Sequence, residues 1–248
     1  MEFERIADQK RTDFITSSVT QSIDPGAFIL DVGCGNGLIS RAFGEKGYEV
    51  LGIDVSEKTI AVARQNNHLS NVQFRVIPAG ELVPEPGKYD AIICSEVLEH
   101  LNEPQLLLNT LYQSLKNNGV LIVTVPNGFG PRELLVTKPV QSLQNNNGFT
   151  LKMLSKIKIS MGYTGTTVQS SADDLRHIQF FTKKSLMKLA SASGFRIEKI
   201  AATNFIEQVF PFSLLTKKSR ALQRADCKLA DLLPIAFTSG FMSIWKKT

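Results

Sequence analysis

Cysteine is scarce in this chain: three residues among 248, Cys34, Cys94 and Cys227, lie far apart and form no C-x-x-C pair. That excludes a disulfide framework and a cysteine-based zinc site. Buried, reduced thiols in a cytoplasmic protein are the expectation. Long apolar runs are missing too. No stretch approaches the ~18 residues of a membrane span. Met1–Arg11 is charged and lacks an apolar h-region, so no signal peptide is expected. There is no arginine-rich tract and no aromatic–basic motif, so DNA is not expected as a partner. The basic excess is modest, 28 Lys and Arg against 23 Asp and Glu. It fits a solvated lysine surface, with phosphate-bearing or membrane-surface partners as the sharper alternative.

What the chain does have is alternation. Apolar strand patterns fall at 28–32, 49–53, 72–77, 89–94 and 119–125, with helical patterns at 37–46, 56–67 and 104–116. The last helix opens with Pro104, carries a leucine face (Leu107, Leu108, Leu111, Leu115) and meets Asn118-Gly119 as a stop. Helix and strand patterns resume at 182–193 and 195–203, and an apolar strand, 241–245, lies near the end. This is the signature of a mostly parallel α/β sheet with helices on both faces. The length suits one domain, 1–248. Residues 1–24 read as an N-terminal helical lid. The stretches 127–176 and 205–234 interrupt the alternation and read as insertions at the carboxyl edge of the sheet, on the substrate side.

The most informative segment is Ile29–Gly37, I-L-D-V-G-C-G-N-G. A short strand, Phe28 to Val32, runs straight into Gly33, Gly35 and Gly37, and a helix follows from Leu38. Such a turn lets backbone N–H groups approach a ligand closely. The dinucleotide fingerprint G-x-G-x-x-G would need glycine at 38, where this chain has leucine. The segment resembles motif I of the class I S-adenosylmethionine (SAM) methyltransferases. Tyr89–Leu101 (Y-D-A-I-I-C-S-E-V-L-E-H-L) and Gly119–Asn127 (G-V-L-I-V-T-V-P-N) resemble motifs II and III of the same family. The likeness is nearly continuous from 28 to 127. It implies a Rossmann-like seven-stranded sheet of order 3-2-1-4-5-7-6, SAM as methyl donor and S-adenosylhomocysteine (SAH) as product.

Residue by residue, the resemblance implies a cofactor site. Gly33, Gly35 and Gly37 form the turn. Asp54, with Val55 beside it, ends the second strand and accepts the ribose hydroxyls; its alternative is a helix cap, a task Ser56 can perform instead. Asp31 and Ser95 lie near the methionine end. Arg11 reaches the SAM carboxylate or else is a surface arginine. Relatives carry an acid after the third strand, where this chain has Pro78, so backbone groups of Ala79 and Gly80 are expected at the adenine, with Glu81 as a substitute.

Glu96, Glu99 and His100 form E-x-x-E-H, and His177 stands in H-I-Q-F-F-T. A shared face would let these four hold a divalent cation such as Mg. The pattern resembles metal-dependent O-methyltransferases of the ubiquinone pathway and small-RNA 2′-O-methyltransferases. Bland readings stand beside it: Glu99 and His100 as structural residues, His177 as a metal-free general base or as a structural histidine. His177 and His100 are the candidate catalytic residues. No N-P-P-[YF] follows the fourth strand, which argues against amino-group methylation of DNA or of protein glutamine. A small-molecule hydroxyl, on a quinone precursor, phenol, sugar or other secondary metabolite, is the expected acceptor. The alternatives are an RNA 2′-oxygen and a non-catalytic SAM-binding partner protein. The basic piece Leu151–Met161 reads as a core-facing helix or a peripheral membrane contact.

Overall fold

The structure is a computed structural model describing residues 5–137, 177–207, 209, 212–217 and 219–248. Helix α1 (Ile6–Thr20) leads into strand β1 (Phe28–Val32), α2 (Leu38–Gly44), β2 (Glu49–Asp54), α3 (Glu57–Gln65), β3 (Val72–Val76) and β4 (Tyr89–Ser95). Then come α4 (Pro104–Ser114), β5 (Leu115–Pro126), α5 (Lys183–Ala192), β6 (Phe195–Ala202), α6 (Phe212–Thr216), α7 (Arg220–Leu232) and β7 (Gly240–Lys247). The seven strands form one sheet in the order β3-β2-β1-β4-β5-β7-β6. Strand β7 runs antiparallel to both neighbours, with Val125 opposite Phe241 and Ala202 opposite the same residue. The order is the one the resemblance implied. The basic piece Leu151–Met161 lies outside the described residues.

Both faces of the sheet are covered, which is why its central strands are nearly unbroken apolar runs. Leu30 and Val32 of β1 point to one core, with the fully buried Leu108 and Leu111 of α4. Ile29 points to the other, with Phe43 of α2 and Ile60 of α3. Each such side chain contributes about 1.5–3 kcal/mol by leaving water. Ser56 caps α3, its hydroxyl accepting the Thr59 N–H at 3.2 Å. Thr182 and Ser185 close a capping box on α5. His68 is exposed and lies just past the end of α3.

One junction differs from the sequence pattern. The helix expected to reach 116 ends at Ser114, and β5 begins at once with Leu115 opposite Tyr89. The ladder then slips, so that Val120 faces Ala91. Asn118-Gly119 therefore belongs to a bulge within the strand and does not stop a helix. A Cβ at 119 would stand 2.9 Å from the Asp90 carbonyl oxygen, so the bulge closes only around glycine.

Candidate active site

The carboxyl ends of β1, β2, β4 and β5 open onto a cleft of about 490 Å³. One wall is the glycine turn. Gly33 and Gly37 have φ of +71° and +76°, a region that suits glycine. The Gly33 and Cys34 N–H groups both donate to the Ile53 carbonyl, at 2.8 and 2.9 Å, which fastens the turn to β2. Asp54 supports it from the side. Its Oδ2 accepts the Gly35 N–H at 3.0 Å and its Oδ1 accepts the Ser56 N–H at 2.9 Å. Since Ser56 caps α3, the Asp54 carboxylate faces the cleft rather than the helix.

Gly33, Gly35, Asp54, Val55, Ala79, Gly80 and Ser95 all line the cleft, with Ile77 and Pro78. Residues 79–81 make a short 3₁₀ turn, and Glu81 is exposed and outside the lining. The lining there is thus Ala79 and Gly80, and no carboxylate. Asp31 and Gly37 stand behind the turn. Asp31 is 2% exposed and accepts a hydrogen bond from the Ser40 hydroxyl of α2 at 2.6 Å. Burial pushes its carboxyl up to about 7, against the opposing pull of Ser40.

Helix α1 forms the opposite wall through Ala7, Asp8 and Arg11. Asp8 takes a two-pronged ion pair from Arg5, at 2.9 and 2.8 Å, and a third contact from Arg11 at 3.1 Å. Arg11 also lies 3.6 Å from Glu96, and its side chain is only 15% exposed, so it is not a surface arginine. Glu96 has φ +57°, unique among the described non-glycine residues. Such a conformation costs about 1–3 kcal/mol and recurs at functional sites. It turns the carboxylate away from the E-x-x-E-H stretch toward α1. There one oxygen accepts the Thr124 hydroxyl at 2.9 Å, and Thr124 is in turn 2.8 Å from Ser95 Oγ.

Beyond Glu96 the chain makes a 3₁₀ turn, Leu98–His100. The Glu99 carbonyl accepts the N–H groups of Ile178 and Gln179 at 2.7 and 2.9 Å. That pairing brings His177 over His100, ring centroids 5.2 Å apart and edge-on. One ligand atom each from Glu99, His100 and His177 lies within 4.8 Å of the others. Glu96 is outside this group, because its side chain serves Arg11 and Thr124. Glu133, in a π-helical turn after β5, stands beside the group rather than in it: its Oε1 lies 3.4 Å from His177 Nδ1 and it is fully buried. Glu99 is 1% exposed, and neither carboxylate oxygen makes a hydrogen bond among the described residues. Burial first, then the Glu96 charge, raises its pKa well above the usual carboxylate range.

Sequence reasoning missed Asp8 and Glu133. The i, i+3 spacing of Arg5, Asp8 and Arg11 was a usable signal for the first. Glu133 had none, since only tertiary packing brings it to His177. The three cysteines are buried and unpaired, as expected. No described helix is long and apolar enough to cross a membrane.

Comparison with known proteins fits this geometry. A family described as "Methyltransferase domain" matches residues 4–200. A ubiquinone biosynthesis O-methyltransferase of Xanthomonas campestris pv. campestris is 38% identical over 120 residues, 47% of this chain and 49% of that protein. The match thus spans about half the length of this relative. The magnesium protoporphyrin IX methyltransferase of Synechocystis PCC 6803, solved with bound SAH, has a TM-score of 0.58 at 20% identity, covering 98% of this chain and 84% of its own. A [4+2]-cyclase has a TM-score of 0.58 at 19% identity, covering 95% and 81%, so the fold also carries other chemistry. The match to most of the chain, on a seven-stranded sheet with a glycine turn and an acid ending β2, places the protein in the SAM-dependent methyltransferase family.

Proposed function

We propose that this chain transfers the methyl group of SAM to a hydroxyl oxygen on a small molecule. The observation that carries the reading is the cluster of His100, His177 and the buried Glu99 in the lining of the glycine-turn cleft, with the buried Glu133 against His177. The O-methyltransferase name of the Xanthomonas relative supports oxygen as the acceptor atom.

The cleft fits SAM by its own features. Asp54 would accept the ribose hydroxyls, as acids do at this position in related nucleotide folds. The Gly33–Gly35 turn leaves room for backbone approach, Ala79 and Gly80 flank the adenine, and Ser95 and Arg11 face the methionine end. Asp31 acts indirectly, holding the turn against α2 through Ser40. Helix α1 serves as the lid that excludes water, tied down by the Arg11–Glu96 contact. When bound, SAM supplies an activated methyl on sulfur; the acceptor oxygen forms the new O–C bond as the S–C bond breaks, leaving SAH.

The chain's own residues handle the proton. Without an ion, Glu133 lying 3.4 Å from His177 Nδ1 orients the ring, which leaves Nε2 to take the hydroxyl proton. The two oxygens of Glu99, which make no hydrogen bond among the described residues and lie beside His100 and His177, also fit a divalent cation. Two nitrogens and a carboxylate suit Mn, Fe or Zn better than Mg, which prefers an all-oxygen shell. When bound, such an ion would lower the pKa of the acceptor hydroxyl. The test is SAH formation on a panel of catechols, phenols and sugars, with EDTA and with Mn²⁺ restored. Turnover on a hydroxyl acceptor is expected, abolished by EDTA and recovered with Mn²⁺. EDTA-insensitive turnover removes the ion and leaves His177 as the base. SAM binding with no methylation anywhere on the panel counts against the hydroxyl reading.

A further inference from the structure

Arg132 and Asn204 line the same cleft, and methyl transfer as described gives neither a task. The other cleft arginines are engaged, Arg5 with Asp8 and Arg11 with Asp8 and Glu96. Arg132 is half-buried and makes no ion pair or hydrogen bond among the described residues. The neighbouring Glu133 is turned to His177. Arg132 therefore brings to the cleft a positive charge that no described residue neutralises.

Asn204 is 3% exposed. Its Oδ1 accepts the Thr203 hydroxyl at 3.1 Å, which orients the amide, and its Nδ2 donates to nothing among the described residues. A buried donor without an acceptor is rare and unfavourable, and a ligand oxygen that reaches it is favoured accordingly. The two residues sit on adjoining strips of chain. Asn127 N–H donates to the Ser239 carbonyl at 2.9 Å, and Ser239 N–H donates to the Asn204 carbonyl at 2.8 Å. The segment after β5 and the segment after β6 thus share Ser239 as a common seam.

We propose that Arg132 and Asn204 form an oxyanion subsite, selecting acceptors that carry a carboxylate or phosphate beside the hydroxyl to be methylated. The inference rests on the hydroxyl-methylation reading above. A guanidinium offers two parallel donors in a fixed fork and the amide adds a third, a set suited to an oxyanion and wasted on a neutral ring. Discrimination then arises by loss. A neutral analogue desolvates Arg132 and leaves Asn204 unpaired, the kind of mismatch that rejects a substrate lacking one polar group.

Calorimetry on the SAH-loaded chain tests the subsite directly, with benzoate, phenyl phosphate and phenol as probes. At least one anion is expected to bind more tightly than phenol, and the preferred anion identifies the source. Arg132→Gln is expected to weaken that binding roughly tenfold or more, and Arg132→Lys less, because the charge stays and the fork is lost. Asn204→Asp is expected to repel the anion; should that buried variant not fold, the two Arg132 variants still decide. Anions binding no better than phenol, or binding unchanged in Arg132→Gln, would overturn the subsite. In turnover, protocatechuate is expected to exceed catechol in kcat/KM about tenfold, with the ratio collapsing through KM in Arg132→Gln. Equal methylation of both, with the ratio unmoved in the variant, overturns the subsite and keeps the hydroxyl reading. Arg132-dependent anion binding without methylation of either does the reverse.

Discussion

Gly33→Ala is the sharpest perturbation of the cofactor turn, because two separate effects add. The residue has φ +71°, and an added Cβ would stand 2.4 Å from Val97 Cγ2. A side chain in the left-handed region costs about 1–2 kcal/mol. Overpacking a filled site costs about 1–3 kcal/mol more. Stiffening the unfolded chain returns about 0.4–1 kcal/mol. The net expectation is a loss of about 1–5 kcal/mol, set against the roughly 5–15 kcal/mol of a whole domain. The effect should not stay local. Val97 is 9% exposed and immediately precedes the turn that carries Glu99 and His100, so relieving the clash moves that turn as well. Urea unfolding of Gly33→Ala, Val97→Ala and the double variant separates the two terms. Truncating Val97 removes the clash and leaves the φ cost, so a coupling of about 1–3 kcal/mol is expected. A coupling near zero, or wild-type stability in Gly33→Ala, would refute the close approach of these two turns.

Other predictions concern single groups. Asp54→Ala removes the acceptor of the Gly35 and Ser56 N–H groups and of the proposed ribose contact, so SAM affinity should fall roughly 10–100-fold by calorimetry. Asp54→Asn keeps one acceptor and should lose less. Glu207 is buried, with one oxygen lacking a hydrogen bond, and burial, opposed by Arg5, pushes its carboxyl up to about 7 from 4.5. A raised folded pKa means its contribution to stability is complete below about 4.5 and is lost as pH rises through about 7. Thermal melts of Glu207→Gln should therefore show a smaller loss of stability than the wild type between pH 5 and pH 8. An identical pH profile would place the charge of Glu207 in water.

The sheet was legible because its signals are local. Short apolar runs that mostly alternate with helical segments leave little choice of architecture, and Pro104 with the leucines after it marks a helix without help. The glycine turn and Asp54 were legible for the same reason: a strand, a tight turn and an acid at the next strand's end are read along the chain. The acceptor side was only half legible. The structure brings Glu99, His100 and His177 together, as the sequence pattern suggested, but the sequence could not show that Glu96 adopts a left-handed conformation and faces α1. Arg132 and Asn204 carry no spacing at all, because hydrogen bonds between segments far apart in sequence bring them to one cleft, and Glu133 meets His177 only through the same packing. The Leu115 junction was misplaced because a bulge obeys the register of its neighbours and not the hydrophobic period.

The most direct test of the account uses SAM bearing a deuterated methyl group, a catechol acceptor and mass spectrometry of the product. The account predicts the label on a hydroxyl oxygen. With His177→Gln it predicts a rate lower by about 10²–10⁴-fold at unchanged SAM affinity. Label on carbon or nitrogen, or full transfer by His177→Gln, would contradict it.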